Sequence, residues 1–121
     1  MSKNIVVDGC ELNFISIAEG NITIKSSPSL KVKINNKGVY SGNLDFIVTG
    51  YMDSLIKEGV GSGTIIPTSN KVFVDGKNVL LEGDSVSLVE ITGVNIETGQ
   101  PATVLQTIQI SNAGQNIVKG E

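Results

Sequence analysis

The fold is decided by Gly61-Ser62-Gly63-Thr64-Ile65-Ile66-Pro67 and, just beyond it, Lys71-Val72-Phe73-Val74-Asp75-Gly76-Lys77-Asn78-Val79-Leu80-Leu81-Glu82-Gly83-Asp84-Ser85-Val86. The first piece is a glycine turn running into a strand. The second is a strand, a tight Asp75-Gly76 hairpin, a returning strand and another turn. Asp-Gly between apolar runs suits a two-residue turn in which both residues take positive φ. Gly83 and Asp84 punctuate the end in the same way, with the aspartates expected to accept turn hydrogen bonds.

The same grammar extends outward. Asn35-Asn36-Lys37-Gly38 is a second candidate hairpin turn, and Ser41-Gly42-Asn43 and Thr98-Gly99-Gln100-Pro101 are weaker turn signals. Between the turns, apolar and polar residues alternate. Ile22 and Ile24 share one face, as do Leu30, Val32 and Ile34, and Val86 and Leu88. Val104, Ile108 and Ile110 share another face, on which Gln106 is the odd member. Period two with one wet side marks half-buried strands. Val, Ile and Thr together supply 37 of the 121 residues, and 14 glycines are spread along the chain. The expected fold is all-β and compact, with short strands joined by Gly and Asp turns in a single domain over residues 1–121. One segment departs from the pattern. Tyr51 to Gly59 spaces Met52, Leu55 and Ile56 helically and ends in Gly, which predicts at most one short helix near residues 51–58. No strict repeat stands out. Ile5-Val6-Val7-Asp8-Gly9 loosely echoes Val72-Phe73-Val74-Asp75-Gly76.

Composition excludes several functions. The 40% hydrophobic and 17% charged content is that of a folded domain rather than a disordered chain. The net charge of −3, nine lysines scattered along the sequence and the absence of Arg argue against a nucleic-acid partner, because phosphate recognition needs clustered cations. With no histidine and one cysteine, neither a Ser-His nucleophile nor a tetrahedral zinc site can be assembled within the chain. Cys10 cannot form an internal disulfide and reads as a small buried hydrophobe. The carboxylate groupings are Asp8 with Glu11, Asp53 with Glu58, Asp75 with Glu82 and Asp84, and Glu90 with Glu97. They read as solvated turn residues, so no catalytic residue, metal ligand or cofactor site is expected. Gly59-Val60-Gly61-Ser62-Gly63 lacks the Lys-Ser/Thr pair of a phosphate loop. The apolar run at Ile5-Val6-Val7 is too short for a signal peptide, which leaves cytoplasmic synthesis as the expectation.

From Gly61 to Val86 the chain resembles the PAAR and PAAR-like proteins. These cap the trimeric spike of type VI secretion systems and related contractile injection machines. Gly61, Gly63, Pro67, Asp75, Gly76, Lys77, Gly83 and Asp84 carry the family's pattern of strands and turns. The opening Ile5 to Leu12 is similar to the start of the PAAR-like branch, and Thr98-Gly99-Gln100 and Ala113-Gly114-Gln115 fit its glycine-rich C-terminal part. Two features depart from the family. There is no Pro-Ala-Ala-Arg segment, and no histidines stand where the family holds zinc at its point. The resemblance implies a non-catalytic tip, one monomer on each trimeric spike, that aids membrane piercing and effector delivery. The resemblance further implies effector proteins as partners, only transient membrane contact, and export as part of the apparatus. Two alternatives stand beside this reading. One is a carbohydrate-binding or adhesion β-module using Tyr40, Tyr51 and Phe73 as stacking residues. The other is a different phage-tail-like baseplate subunit.

Overall fold

The computed structural model describes residues 3–120. It contains twelve strands: β1 Lys3–Asn4, β2 Glu11–Phe14, β3 Glu19–Ile24, β4 Lys33–Ile34, β5 Lys37–Gly38, β6 Leu44–Met52, β7 Ile56–Ile65, β8 Phe73–Val74, β9 Lys77–Asn78, β10 Ser85–Asn95, β11 Pro101–Asn112 and β12 Lys119–Gly120. Among the described residues there is no helix. The protein is all-β.

The long strands form one antiparallel sheet in the order β2-β11-β10-β7-β6-β3. Its two edges, β2 and β3, follow one another in sequence, so the sheet curls back on itself into a nearly closed barrel. Bulges supply curvature. Leu88 takes φ 60° where the β10–β11 register slips between Val86 and Val89, and Glu58 takes φ 54° beside the slip between Val48 and Tyr51. The inward side chains, among them Phe46, Val48, Tyr51, Ile56, Ile91 and Ile108, are almost completely removed from water. Each such side chain stabilises the fold by about 1.5–3 kcal/mol before entropy is counted. Phe14 meets the Tyr51 ring edge-on at 5.0 Å. The glycine-rich run of β7 makes room for these rings. A Cβ on Gly63 would stand 2.7 Å from Phe46 Cζ, and one on Gly59 would stand 2.9 Å from Tyr51 Cβ.

A second layer closes one end of the barrel. It consists of three two-stranded antiparallel pairs, the hairpins β4-β5 and β8-β9 and the unconnected pair β12-β1, each followed by a three-residue segment: Val39-Tyr40-Ser41, Val79-Leu80-Leu81 and Ile5-Val6-Val7. The middle residues bond in a closed ring. The Val6 amide donates to Leu80 O at 3.0 Å, the Leu80 amide to Tyr40 O at 3.3 Å, and the Tyr40 amide to Val6 O at 3.0 Å. The outer residues repeat the cycle as the bridges Ile5–Leu81, Val79–Ser41 and Val39–Val7. A further ring links Asp8 to Gly38 O at 2.8 Å, Gly42 to Asn78 O at 2.8 Å and Glu82 to Asn4 O at 2.9 Å. These cycles define a pseudo-threefold axis through the cap. Strand alternation does the rest. Val6, Tyr40 and Leu80 point into the barrel core. Their neighbours Ile5, Val7, Val39, Val79 and Leu81 form a separate small core, covered by Ile34, Val72 and Val74.

Several expectations change. The stretch 51–58 is a hairpin tip, not a helix: Tyr51 and Ile56 are buried on successive strands while Met52 and Leu55 face water. Asp53 turns the chain there by accepting the amides of Leu55 at 2.7 Å and Ile56 at 2.9 Å. Leu30 does not share a buried face with Ile34, because the strand begins only at Lys33 and Leu30 is 89% exposed. Leu88 is 70% exposed because the bulge turns it outward. The chain does repeat, but in another register. Ile5-Val6-Val7-Asp8-Gly9 is equivalent to Val79-Leu80-Leu81-Glu82-Gly83, not to Val72–Gly76.

Candidate docking face

The eight residues singled out in the sequence fall into two groups. Gly61 and Gly63 do not form the expected glycine turn: they lie in the middle of β7, within the barrel. A Cβ on Gly61 would stand 2.6 Å from Glu90 O, so its role is the close approach of β7 and β10. The other six belong to the cap and its approaches. Asp75 and Gly76 form the β8–β9 turn with φ of 54° and 77°, matching Asn35 and Asn36 at 54° and 66° in the β4–β5 turn. Pro67 ends the run from β7 into the cap. Gly83 takes φ 98° in the turn leaving it, as Gly9 does at 94°. Asp84 is buried rather than solvated as expected, and it locks the third unit in place: its carboxylate accepts Thr68 Oγ1 at 2.6 Å and the Leu81 amide at 3.0 Å.

Lys77 has equivalents that sequence reasoning missed. Lys3, Lys37 and Lys77 occupy the same place in the three units, each lying across the glycine turn of a neighbouring unit. Lys3 Nζ comes within 3.8 Å of where a Cβ on Gly83 would stand, and Lys37 Nζ within 3.9 Å of one on Gly9. Lys77 Cδ would be 2.8 Å from a Cβ on Gly42. The available signal was the pair Lys3-Asn4-Ile5-Val6-Val7-Asp8-Gly9 and Lys77-Asn78-Val79-Leu80-Leu81-Glu82-Gly83, similar at every position. Further out, Lys33 and Lys119 are equivalent, with Phe73 in the third place. Lys31 and Lys71 are equivalent, with Ile117 in the third.

The lysines are scattered in sequence but not in space, so the expected scatter no longer counts against an anionic polymer as partner, and that argument now rests on the net charge of −3 and the absence of Arg. Residues 3–10, 26–43, 66–84 and 113–120 make up the cap, and they hold seven of the nine lysines against four carboxylates. The remaining described residues hold two lysines, Lys25 and Lys57, against seven carboxylates. The molecule is therefore polar along its pseudo-threefold axis, basic at the cap and acidic along the barrel. The cap also exposes apolar side chains between its lysines, with Phe73 at 59% and Ile117 at 70%.

The far end of the barrel consists of the loops 15–18, 53–55 and 96–100. Asp53 anchors one and Asn95 another, the latter through its Oδ1 to the amides of Glu97 at 2.9 Å and Thr98 at 3.0 Å. The third is held by Gln106, the odd polar residue of its face. Gln106 is buried, accepts the Ser16 amide at 3.1 Å and donates to Tyr51 Oη at 3.0 Å. Ile17 is fully exposed here, Leu55 is 59% exposed, and the Ile96 amide ties its loop to Leu55 O at 3.0 Å.

Reactive groups are muted. Burial, reinforced by Asp8, pushes the Cys10 thiol up to about 11, so it is protonated and inert near neutrality. Burial also pushes the Tyr40 phenol up to about 12. Tyr40 and Tyr51 are both buried, which removes two of the three candidate stacking rings from the surface. No three His, Cys, Asp or Glu side chains cluster as a metal site among the described residues. No protein-family model, curated protein or solved structure matches the chain.

Proposed function

We propose that this chain is a non-catalytic PAAR-like tip that caps the trimeric spike of a type VI secretion system or related contractile injection machine, one copy per trimer. The observation that carries the reading is the closed hydrogen-bond ring of Val6, Tyr40 and Leu80. A single chain placed on the end of a threefold trimer must offer three equivalent surfaces at one place, or two of the three subunits go unmatched. The cap supplies three units around one axis, which makes it the docking face. The barrel then projects away from the spike as a rigid, leading element, with contact to the target membrane at its far loops and effector delivery following behind. The short cap strands leave backbone groups at their outer edges for pairing with strand ends of the partner.

The test is co-expression with the trimeric spike protein of the same genome and native mass measurement of the product. One copy of this chain per trimer is expected, and the chain alone is expected to be monomeric by light scattering. Separate monomer and trimer would overturn the reading.

A further inference from the structure

Resting on that reading, we infer that the partner's docking end presents carboxylates in a threefold arrangement, and that the lysine ring of the cap recognises them. Lys3, Lys37 and Lys77 hold equivalent backbone positions in the three units joined by the backbone rings, and Lys37 Nζ, at an exposed site, also donates to Gly114 O at 3.1 Å. The next positions outward keep Lys at two of three places each. Only four carboxylates share the cap with these lysines, and two of them are engaged internally: Asp84 with Thr68 and Leu81, and Glu82 with the Ala113 amide at 2.9 Å. The rest of the chain is acidic, so the concentration of lysine at one end does not follow from overall composition. Three basic arms around an axis match a partner bearing Asp or Glu once per subunit, and the acidic barrel would repel that same surface. Charge would therefore select both the partner and the orientation of docking, acting chiefly on the rate of encounter.

The experiment measures association of this chain with the trimeric spike protein of the same genome at low and high salt. It uses the wild type, a Lys3→Gln/Lys37→Gln/Lys77→Gln variant and a Lys25→Gln/Lys57→Gln control. For the wild type the association rate should fall about tenfold or more between 0.05 and 0.5 M salt. The triple variant should associate about 10- to 100-fold more slowly at low salt and lose most of its salt dependence. The barrel control should equal or exceed the wild type. Circular dichroism establishes that each variant is folded, and the wild-type salt dependence stands whether or not the triple variant folds. A 1:3 complex with an association rate indifferent to salt would overturn the lysine inference and leave the tip reading intact. A wild type that forms no complex at any salt would overturn both.

Discussion

At the cap, Val6, Tyr40 and Leu80 occupy interchangeable places, each donating to one neighbour and accepting from the other. At the far end of the barrel, the loops 15–18, 53–55 and 96–100 share neither length nor bonding: one is held by Gln106, one by Asp53 and one by Asn95. The same three units thus keep their symmetry at one end and lose it at the other. Backbone bonds that close on themselves explain the difference. Each donor in the ring has one acceptor, and a change in the path of any unit leaves a buried amide unpaired in one neighbour and a buried carbonyl in the other. Loops joining barrel strands carry no such mutual constraint and can diverge one at a time.

The contrast can be broken most forcefully at the axis. Leu80→Ala removes a fully buried side chain from the point where the three units meet, and should cost about 2–5 kcal/mol in chemical denaturation. A loss well below 1 kcal/mol would show that the cap does not unfold with the barrel. Asp84→Ala comes next. It leaves the Leu81 amide without its 3.0 Å partner inside the cap, and a loss of about 1–3 kcal/mol is expected.

At the far end the effects should be smaller and should depend on pH. Burial raises the Asp53 carboxyl, but the amides of Ile56 and Leu55 and the Tyr51 hydroxyl outweigh it and hold the group below its ordinary value of 3.8. A lowered folded-state value means stabilisation that is present above the ordinary value and lost as pH falls through the folded one. Asp53→Asn should therefore be less stable than the wild type by about 1 kcal/mol at neutral pH. The two should converge in acid, as followed by urea midpoints from pH 7 to pH 2. Smallest of all, Leu55→Ser at the exposed tip should shift stability by less than about 0.5 kcal/mol. A larger loss would mean that this end carries more of the fold than its exposure indicates.

The strands and tight turns were legible because they are written locally. Asp75-Gly76 and Asn35-Asn36 advertise positive φ in two residues, and the alternation of Val104, Ile108 and Ile110 survives into the core. Misreadings arose where a local pattern had a nonlocal cause. Met52, Leu55 and Ile56 have helical spacing because a hairpin tip puts exposed and buried residues close together in sequence. Leu88 broke its alternation through a bulge that no single residue announces. The three cap units escaped notice because their strand pairs are two residues per strand, and because one pair joins residues 3–4 to residues 119–120. A search along a linear chain meets only two whole copies. The lysine triad was hidden for the same reason, since its members become neighbours only around the axis.

The β12–β1 pairing has a practical consequence. Lys3 faces Gly120 and Asn4 faces Lys119 in the place where the other two units carry a turn. Gly120 and Lys3 thus lie as close together as residues that flank a tight turn, and a short linker could join them. A circular permutant linked from Gly120 to Lys3 and opened between Asn35 and Asn36 should keep every ring of the cap. One opened at Ser54 would move both ends to the opposite pole. Fluorescent labels or tethered passengers could then be hung from either pole of the same structure, leaving the other clear.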